Sequence, residues 1–231
     1  AVIAALGLSG QAGRIAASAQ PALGTLLRQG LASTRNPGIA LACAAAFTSR
    51  GVLAVTGAFM SLWLIQYGTG TLGLSGSEAM KQLALPRVLC IVTGALFGAI
   101  LMGLLSDRIR RVTSIAVAAG LTAAVYLALF FVKDPTAPWV FYLLGLMGIA
   151  EISAFVSSQA LIGERAPVAL RGVVIGFFGV AGAVGILFGT SLGGVLFRDI
   201  GPSAPFVLFG AINLLVFVWA LLLRRQPDSL A

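Results

Sequence analysis

Residues 103–111 read Gly-Leu-Leu-Ser-Asp-Arg-Ile-Arg-Arg, and this short stretch decides the fold. It joins two uncharged apolar runs, residues 88–105 and 112–132, and it carries four charged side chains. Charges placed so densely between apolar runs must lie in water, and positive residues in short connections stay on the cytoplasmic side of a membrane. The stretch therefore predicts a cytoplasmic turn between two transmembrane helices.

The composition also indicates a membrane protein. Of the 231 residues, 59% are apolar and 10% are charged, and the mean hydropathy is +1.03. Such a chain has too little polar surface to face water on all sides, so we predict a lipid bilayer around it. The 15 basic residues outnumber the seven acidic ones, but they cluster in short connections and form no stripe. This pattern predicts membrane topology and no nucleic-acid partner.

Six segments are long and apolar enough to cross a bilayer as helices, which needs about 17 to 25 residues. They are residues 38–66, 88–105, 112–132, 139–163, 172–197 and 206–223, here called spans one to six. Asn36-Pro37 predicts the start of span one, and Ser75-Gly-Ser-Glu78 predicts a capping box before span two, with a kink at Pro86. The predicted fold class is an all-α membrane protein with six transmembrane helices.

The charged turn resembles the cytoplasmic motif of the major facilitator superfamily, which joins the second and third helices of a six-helix half. The residues that carry this resemblance are Gly103, Asp107, Arg108, Arg110 and Arg111. It implies a cytoplasmic gate in which the aspartate and the arginines form ion pairs and meet a helix end, keeping the inner side closed until transport breaks them. The alternative is that these residues are ordinary positive-inside anchors.

Span five carries a second resemblance, to the glycine-spaced antiporter motif of drug exporters in the same family. Its glycines are Gly176, Gly185, Gly189, Gly193 and Gly194. Thr190 stands where that motif has proline, so the helix bend that proline supplies is in doubt. Glycines four residues apart also permit plain close packing of helices, and this alternative stays open.

The resemblance implies that the chain is one half of a major facilitator fold, and the basic segment before span one favours the C-terminal half. Residues 1–8 are then the end of a preceding transmembrane helix, 9–37 a cytoplasmic central linker, 38–225 the six-helix half and 226–231 a cytoplasmic tail. Most basic residues outside the spans share the face of the charged turn and both termini, so both ends are predicted to be cytoplasmic, in the plasma (inner) membrane. The missing N-terminal half is a predicted partner.

Arg50 in span one and Glu151 in span four are the charges near mid-membrane, and their depths are expected to match. Because a charge there costs about 2.5 to 3.5 kcal/mol on insertion scales, both are candidates for a substrate or proton cavity. Glu151 is predicted to carry a proton or to hold a cationic substrate, with Phe47 and Phe155 as stacking surface and Gln159 as a polar neighbour. Alternatively, Arg50 and Glu151 form a fixed ion pair, or each pairs with the absent half.

The chain contains no histidine and no glycine-rich phosphate loop, which excludes a serine–histidine hydrolase, a histidine metal site and ATP binding of the P-loop kind. We therefore predict no catalytic residue, no metal and no cofactor. The predicted function is a secondary transporter that moves a small organic solute by proton-coupled efflux, with protons or another ion as the energy source. The alternative is a non-transporting six-helix sensor or assembly partner.

Overall fold

The computed structural model describes residues 23–225. The predicted end of a preceding helix, the first part of the linker and the C-terminal tail lie outside the described residues. A helix, α1 (Leu23–Ser33), comes first. Six helices long and apolar enough to cross a membrane follow, which confirms the predicted fold class. They are α2 (Pro37–Gly70), α3 (Gly76–Arg108), α4 (Arg111–Phe131), α5 (Pro138–Arg165), α6 (Arg171–Asp199) and α7 (Ala204–Arg224).

Two of these helices begin at the caps that the sequence predicts. The side chain of Asn36 accepts hydrogen bonds from the backbone N–H groups of Gly38 (2.9 Å) and Ile39 (3.3 Å), so the first turn of α2 has its donors satisfied. At the start of α3, Ser75 and Glu78 form both hydrogen bonds of a capping box. The second transmembrane helix thus starts well before the uncharged run at residues 88–105.

Both α2 and α3 contain a π-helical turn. In α2 it covers Thr56–Met60, and in α3 it covers Met80–Ala84. The turn in α3 comes just before Pro86, whose ring cannot fit against a regular preceding turn, so the wider turn accounts for the predicted irregularity there. No proline follows the turn in α2. Since π-turns often occur at functional sites, this turn directs attention to Thr56.

The helices pack mainly against partners that are distant in the sequence. The most extensive contacts join α3 to α5, α2 to α6 and α4 to α7, while α2 and α5 contact each other in the middle. Large apolar side chains on the outer face of α3 remain exposed, among them Leu96 (66%) and Ile100 (62%). A row of this kind is stable against lipid or another apolar surface but not in water. The bundle therefore places α2, α4 and α5 inside and α3 and α6 outside.

Candidate functional site

A triangle of three oxygen atoms lies between α2, α4 and α5, near the middle of α5. The hydroxyl of Tyr126 donates a hydrogen bond to Oε1 of Glu151 at 2.5 Å. The hydroxyl oxygen of Thr56 is hydrogen-bonded to the same carboxyl oxygen and lies 2.6 Å from the hydroxyl oxygen of Tyr126. All three side chains are buried, and Glu151 is only 3% exposed. Among residues 23–225, the partners of this buried carboxyl group are hydroxyl groups and not a cation.

A cavity of about 200 Å³ lies beside this triangle. Its walls come from α2, α3 and α5, and their polar side chains are Thr56, Ser61 and Glu151. The rest of the wall is apolar and includes Gly57, inside the π-turn, and Ile91. The structure therefore brings the predicted proton carrier to the edge of a small, mostly apolar cavity.

Arg50 lies against α6 and away from this cavity. Its guanidinium donates to the carbonyl oxygen of Gly179 at 3.4 Å. Its Cζ lies 5.5 Å from the ring centroid of Phe178 and 6.0 Å from that of Phe155. A Cβ at Gly182 would lie 2.2 Å from Cδ of Arg50, so the missing side chain of this glycine makes room for the arginine. Arg50 occupies a notch in α6 with aromatic rings around it.

The alternative in which Arg50 and Glu151 form a fixed ion pair is not found among the described residues. Within residues 23–225, no nitrogen of Arg50 lies within the 4.0 Å of a Glu151 oxygen that defines an ion pair. The reason is the helix register: Glu151 contacts Thr56, six residues after Arg50, which is roughly 9 Å further along a helix axis. The expected match in depth therefore fails, and Arg50 is level with Phe155 instead.

The remaining predicted cavity residues are spread over different surroundings. Phe155 contacts Arg50, as described, but the ring of Phe47 lies against Phe188 (5.5 Å between centroids) and Phe209 (6.4 Å) and not over a charge. Gln159 is exposed. The structure thus brings together Glu151 with its hydroxyl partners, and separately Arg50 with Phe155.

Arg111 joins the ends of α3, α4 and α5 that are predicted to be cytoplasmic. Its guanidinium donates to the carbonyl oxygen of Ser106 at 2.6 Å and to Oδ1 of Asp107 at 3.2 Å. Its Nε also lies 3.4 Å from Oε2 of Glu164, near the end of α5. Glu164 was not among the predicted residues, because nothing in its sequence context marks it as a partner of the charged turn.

The other residues of the charged turn differ in their contacts. Arg110 donates to the carbonyl oxygen of Arg224 at 3.5 Å, so it meets the end of α7, as the resemblance implies for a helix end. A cavity of about 590 Å³ opens here, lined by residues of the turn and by Glu164 and Arg165. Arg108 is exposed, and a Cβ at Gly103 would meet no described atom within 4 Å. The turn therefore connects the ends of four helices, while Gly103 contacts none of them closely.

The predicted glycine motif divides into two groups. At Gly185 a Cβ would lie 2.1 Å from the backbone oxygen of Phe47 on α2. At Gly189 and Gly193 a Cβ would have its nearest neighbour at 3.1 Å and 2.7 Å, again on α2. The glycines whose Cβ would meet nothing within 4 Å are Gly176 and Gly194. Three of the five glycines thus let α6 approach α2 closely, and a role in antiport stays a prediction.

A buried arginine holds the opposite, predicted outer end of the bundle. Arg87, only 4% exposed, donates through Nε to the carbonyl oxygen of Pro135 (2.9 Å) and through Nη1 to that of Leu83 (3.1 Å). Its Cζ lies 4.8 Å from the ring centroid of Phe141. Arg87 was not singled out in the sequence, although its place next to Pro86 inside a long helix could have marked it.

Asp134 shapes the connection between α4 and α5 at the same end. Its Oδ1 accepts hydrogen bonds from the hydroxyl (2.5 Å) and the backbone N–H (2.7 Å) of Thr136. The hydroxyl bond and then the backbone bond lower the pKa of this exposed carboxyl below its ordinary value, because both stabilise the charged form. The connection is therefore ordered by a charged aspartate.

Six membrane-length helices with a buried carboxyl beside a cavity, and with an Asp-Arg turn across one end of the bundle, define a multi-pass membrane protein of the transporter-half type. The family model described as Major Facilitator Superfamily matches residues 39–231. The chain belongs to this superfamily.

The chain is also similar to curated proteins named after magnetosomes. It is 30% identical over 197 residues to the magnetosome protein MamH of Paramagnetospirillum magneticum, covering 82% of this chain and 44% of that protein. It is 29% identical over 192 residues to the magnetosome protein MamZ of Magnetospirillum gryphiswaldense, covering 81% of this chain and 28% of that protein. The chain thus spans less than half the length of these relatives.

Proposed function

We propose that this chain is the C-terminal half of a major facilitator transporter that exports a small organic solute in exchange for protons, with Glu151 as the proton carrier. The observation that carries the proposal is the burial of Glu151 at the edge of a cavity of about 200 Å³. A carboxyl that is unpaired with a cation can be neutral or charged according to its surroundings, and alternating access changes those surroundings. Membership of the major facilitator superfamily supports transport. The chain covers 44% of MamH, which supports a transporter built from two halves.

Arg50 has a different role in this proposal. Its guanidinium makes one hydrogen bond to a backbone oxygen, so most of its five donors remain for other groups. In the described part of the chain Arg50 forms no ion pair with Glu151, so a fixed pair of these two residues does not support the sensor alternative. We propose that Arg50 contacts the substrate or the missing half.

The test is proton-driven transport by the full-length protein in inverted membrane vesicles. A panel of amino acids, sugars, carboxylates and cationic dyes is added while proton movement is followed with a pH-sensitive dye. We expect Glu151→Gln to abolish proton release, because the amide cannot lose its proton, and the exposed Glu78→Gln variant to retain it. Proton release by Glu151→Gln equal to the wild type, for the same substrate, refutes the coupling role.

The location is open to a direct experiment. The plasma membrane with both ends cytoplasmic is the predicted location, and the names of the relatives add a magnetosome membrane as a candidate. Fractionation of cells that express a tagged full-length protein separates the two: co-purification with magnetosomes supports the second, and recovery only in the bulk membrane excludes it.

A further inference from the structure

We propose that Thr56, Tyr126 and Glu151 form a latch that ties α2 to α4 and α5 while Glu151 is protonated and opens between α2 and α4 when the proton leaves. This inference rests on the proposed role of Glu151 as the proton carrier, and it assigns Thr56 and Tyr126 as positioning residues.

The triangle has three short oxygen–oxygen contacts, so it needs three protons. Thr56 and Tyr126 bring one hydroxyl proton each, and a charged carboxylate brings none. Two oxygens at 2.6 Å with no proton between them repel each other, because this distance is normal only for a hydrogen bond. All three contacts close when Glu151 is protonated and each oxygen donates to the next. The observed triangle is therefore the arrangement of the neutral acid.

Loss of the proton opens one contact in particular. A carboxylate is the strongest acceptor of the three groups, so both hydroxyls donate to Glu151 once it is charged. No proton then remains for the contact between Thr56 and Tyr126. This contact is the direct link from α2 to α4, so the two helices separate at this point when the proton leaves.

The surroundings make Glu151 the group that decides the state of the latch. From α2 it faces the hydroxyl of Thr56, from α4 the phenol of Tyr126, and from α3 the apolar cavity wall. The charged groups nearest along these helices point elsewhere: Arg50 contacts Gly179, and Arg87 contacts Pro135. A change in the charge of Glu151 therefore acts on its two hydroxyl partners first.

The π-turn explains how the opening can spread. Thr56 is the first residue of the turn Thr56–Met60, and Gly57 lines the cavity. A π-turn has fewer well-formed backbone hydrogen bonds than a regular turn, so this part of α2 is the easiest to open. Proton loss at Glu151 is thus expected to loosen residues 56–60 before other parts of α2.

Hydrogen–deuterium exchange of the full-length protein in lipid nanodiscs tests the latch. Exchange of the peptide that covers residues 53–64 is measured across a pH series and corrected for the intrinsic pH dependence of amide exchange. In the wild type we expect it to rise roughly fivefold from acid to alkaline pH, the effect of losing about one hydrogen bond. In Glu151→Gln, exchange of this peptide is expected to stay low at every pH. The glutamine amide can donate to both hydroxyl oxygens, and a hydroxyl proton remains for the contact between Thr56 and Tyr126.

Variants of the two hydroxyls separate the latch from a merely structural role. In Thr56→Val and Tyr126→Phe, the peptide that covers residues 53–64 is expected to exchange fast at every pH, with no rise between acid and alkaline pH. Thr56→Ser is expected to keep this pH-dependent rise, here called the step. The matched controls, Thr48→Val and Tyr142→Phe, should behave like the wild type, because Thr48 bonds only its own helix and Tyr142 is exposed.

Two results would overturn the latch. One is an exchange of the wild-type peptide that does not change with pH, a measurement that does not depend on the folding of any variant. The other is a pH step that persists in Thr56→Val or Tyr126→Phe above a raised baseline, because simple destabilisation gives that pattern. A normal step together with proton release that is unaffected by Glu151→Gln would instead refute the proposed transport coupling and leave the latch in place.

Discussion

Gly185→Ala gives the sharpest test of how α6 packs on α2. The new Cβ would lie 2.1 Å from the backbone oxygen of Phe47, whereas ordinary contact begins at 3.4 Å. Backbone atoms cannot rotate away as a side chain can, so the two helices must separate by about 1.3 Å or bend. Overpacking of this kind costs about 1 to 3 kcal/mol, which corresponds to a fall in Tm of roughly 2 to 12 °C for a chain of this size.

The same helix provides the matched control. Gly176 belongs to the same predicted motif, but a Cβ there would meet nothing within 4 Å. Gly176→Ala should therefore leave the Tm unchanged or raise it slightly, because alanine favours a helix by up to about 1 kcal/mol over glycine. In the assay, the purified full-length protein is heated to a series of temperatures, and size-exclusion chromatography then measures how much remains folded. Equal Tm values for the two variants would refute the close packing of α6 on α2.

Three further predictions concern the two ends of the bundle. At the predicted cytoplasmic end, Ser106→Cys supplies a thiol that a membrane-impermeant reagent can label in inverted vesicles. Adding Arg111→Ala should speed this labelling, while adding Arg108→Ala should not. Labelling in intact cells would contradict the predicted orientation. At the other end, Arg87→Gln should lower the free energy of unfolding by about 1.5 to 3 kcal/mol, and an unchanged Tm would refute its bracing role. The hydrogen bonds from Thr136 lower the pKa of Asp134 in the folded state, so its charged form contributes to stability. The Tm difference between the wild type and Asp134→Asn should therefore be present at neutral pH and vanish as the pH falls through this lowered pKa. A difference that persists in acid would contradict this.

The start points of helices could be predicted because their signals are local. Asn36-Pro37 and the Ser75 to Glu78 box each combine a side-chain acceptor with nearby backbone donors, and both caps are present. The number of transmembrane helices followed from length and apolar content in the same way. The π-turn at Thr56–Met60 has no such signal, since no proline or glycine pair marks it out from an ordinary apolar helix.

The site was predicted only in part, because contacts between helices depend on register. Glu151 stood out as an intramembrane charge, but its partner Thr56 looks like Thr48, whose hydroxyl bonds its own helix at 3.2 Å. Tyr126 sits in an apolar span where an aromatic residue is expected in any case. The alternative pairing of Arg50 with Glu151 failed because depths counted from span ends do not fix how two helices are displaced along each other, and Glu151 meets Thr56 instead.

The distribution of polar contacts suggests which part of the bundle can move. Side-chain contacts tie α3, α4, α5 and α7 together at the predicted cytoplasmic end through Arg110 and Arg111. In the described part of the chain, α2 is hydrogen-bonded to α4 and α5 through Thr56, and to α6 through Arg50. Opening the contact between Thr56 and Tyr126 would therefore remove the direct hydrogen bond between α2 and α4 without disturbing the contacts of Arg110 and Arg111. Because the glycines of α6 pack closely on α2, we expect a proton leaving Glu151 to act on these two helices as a pair.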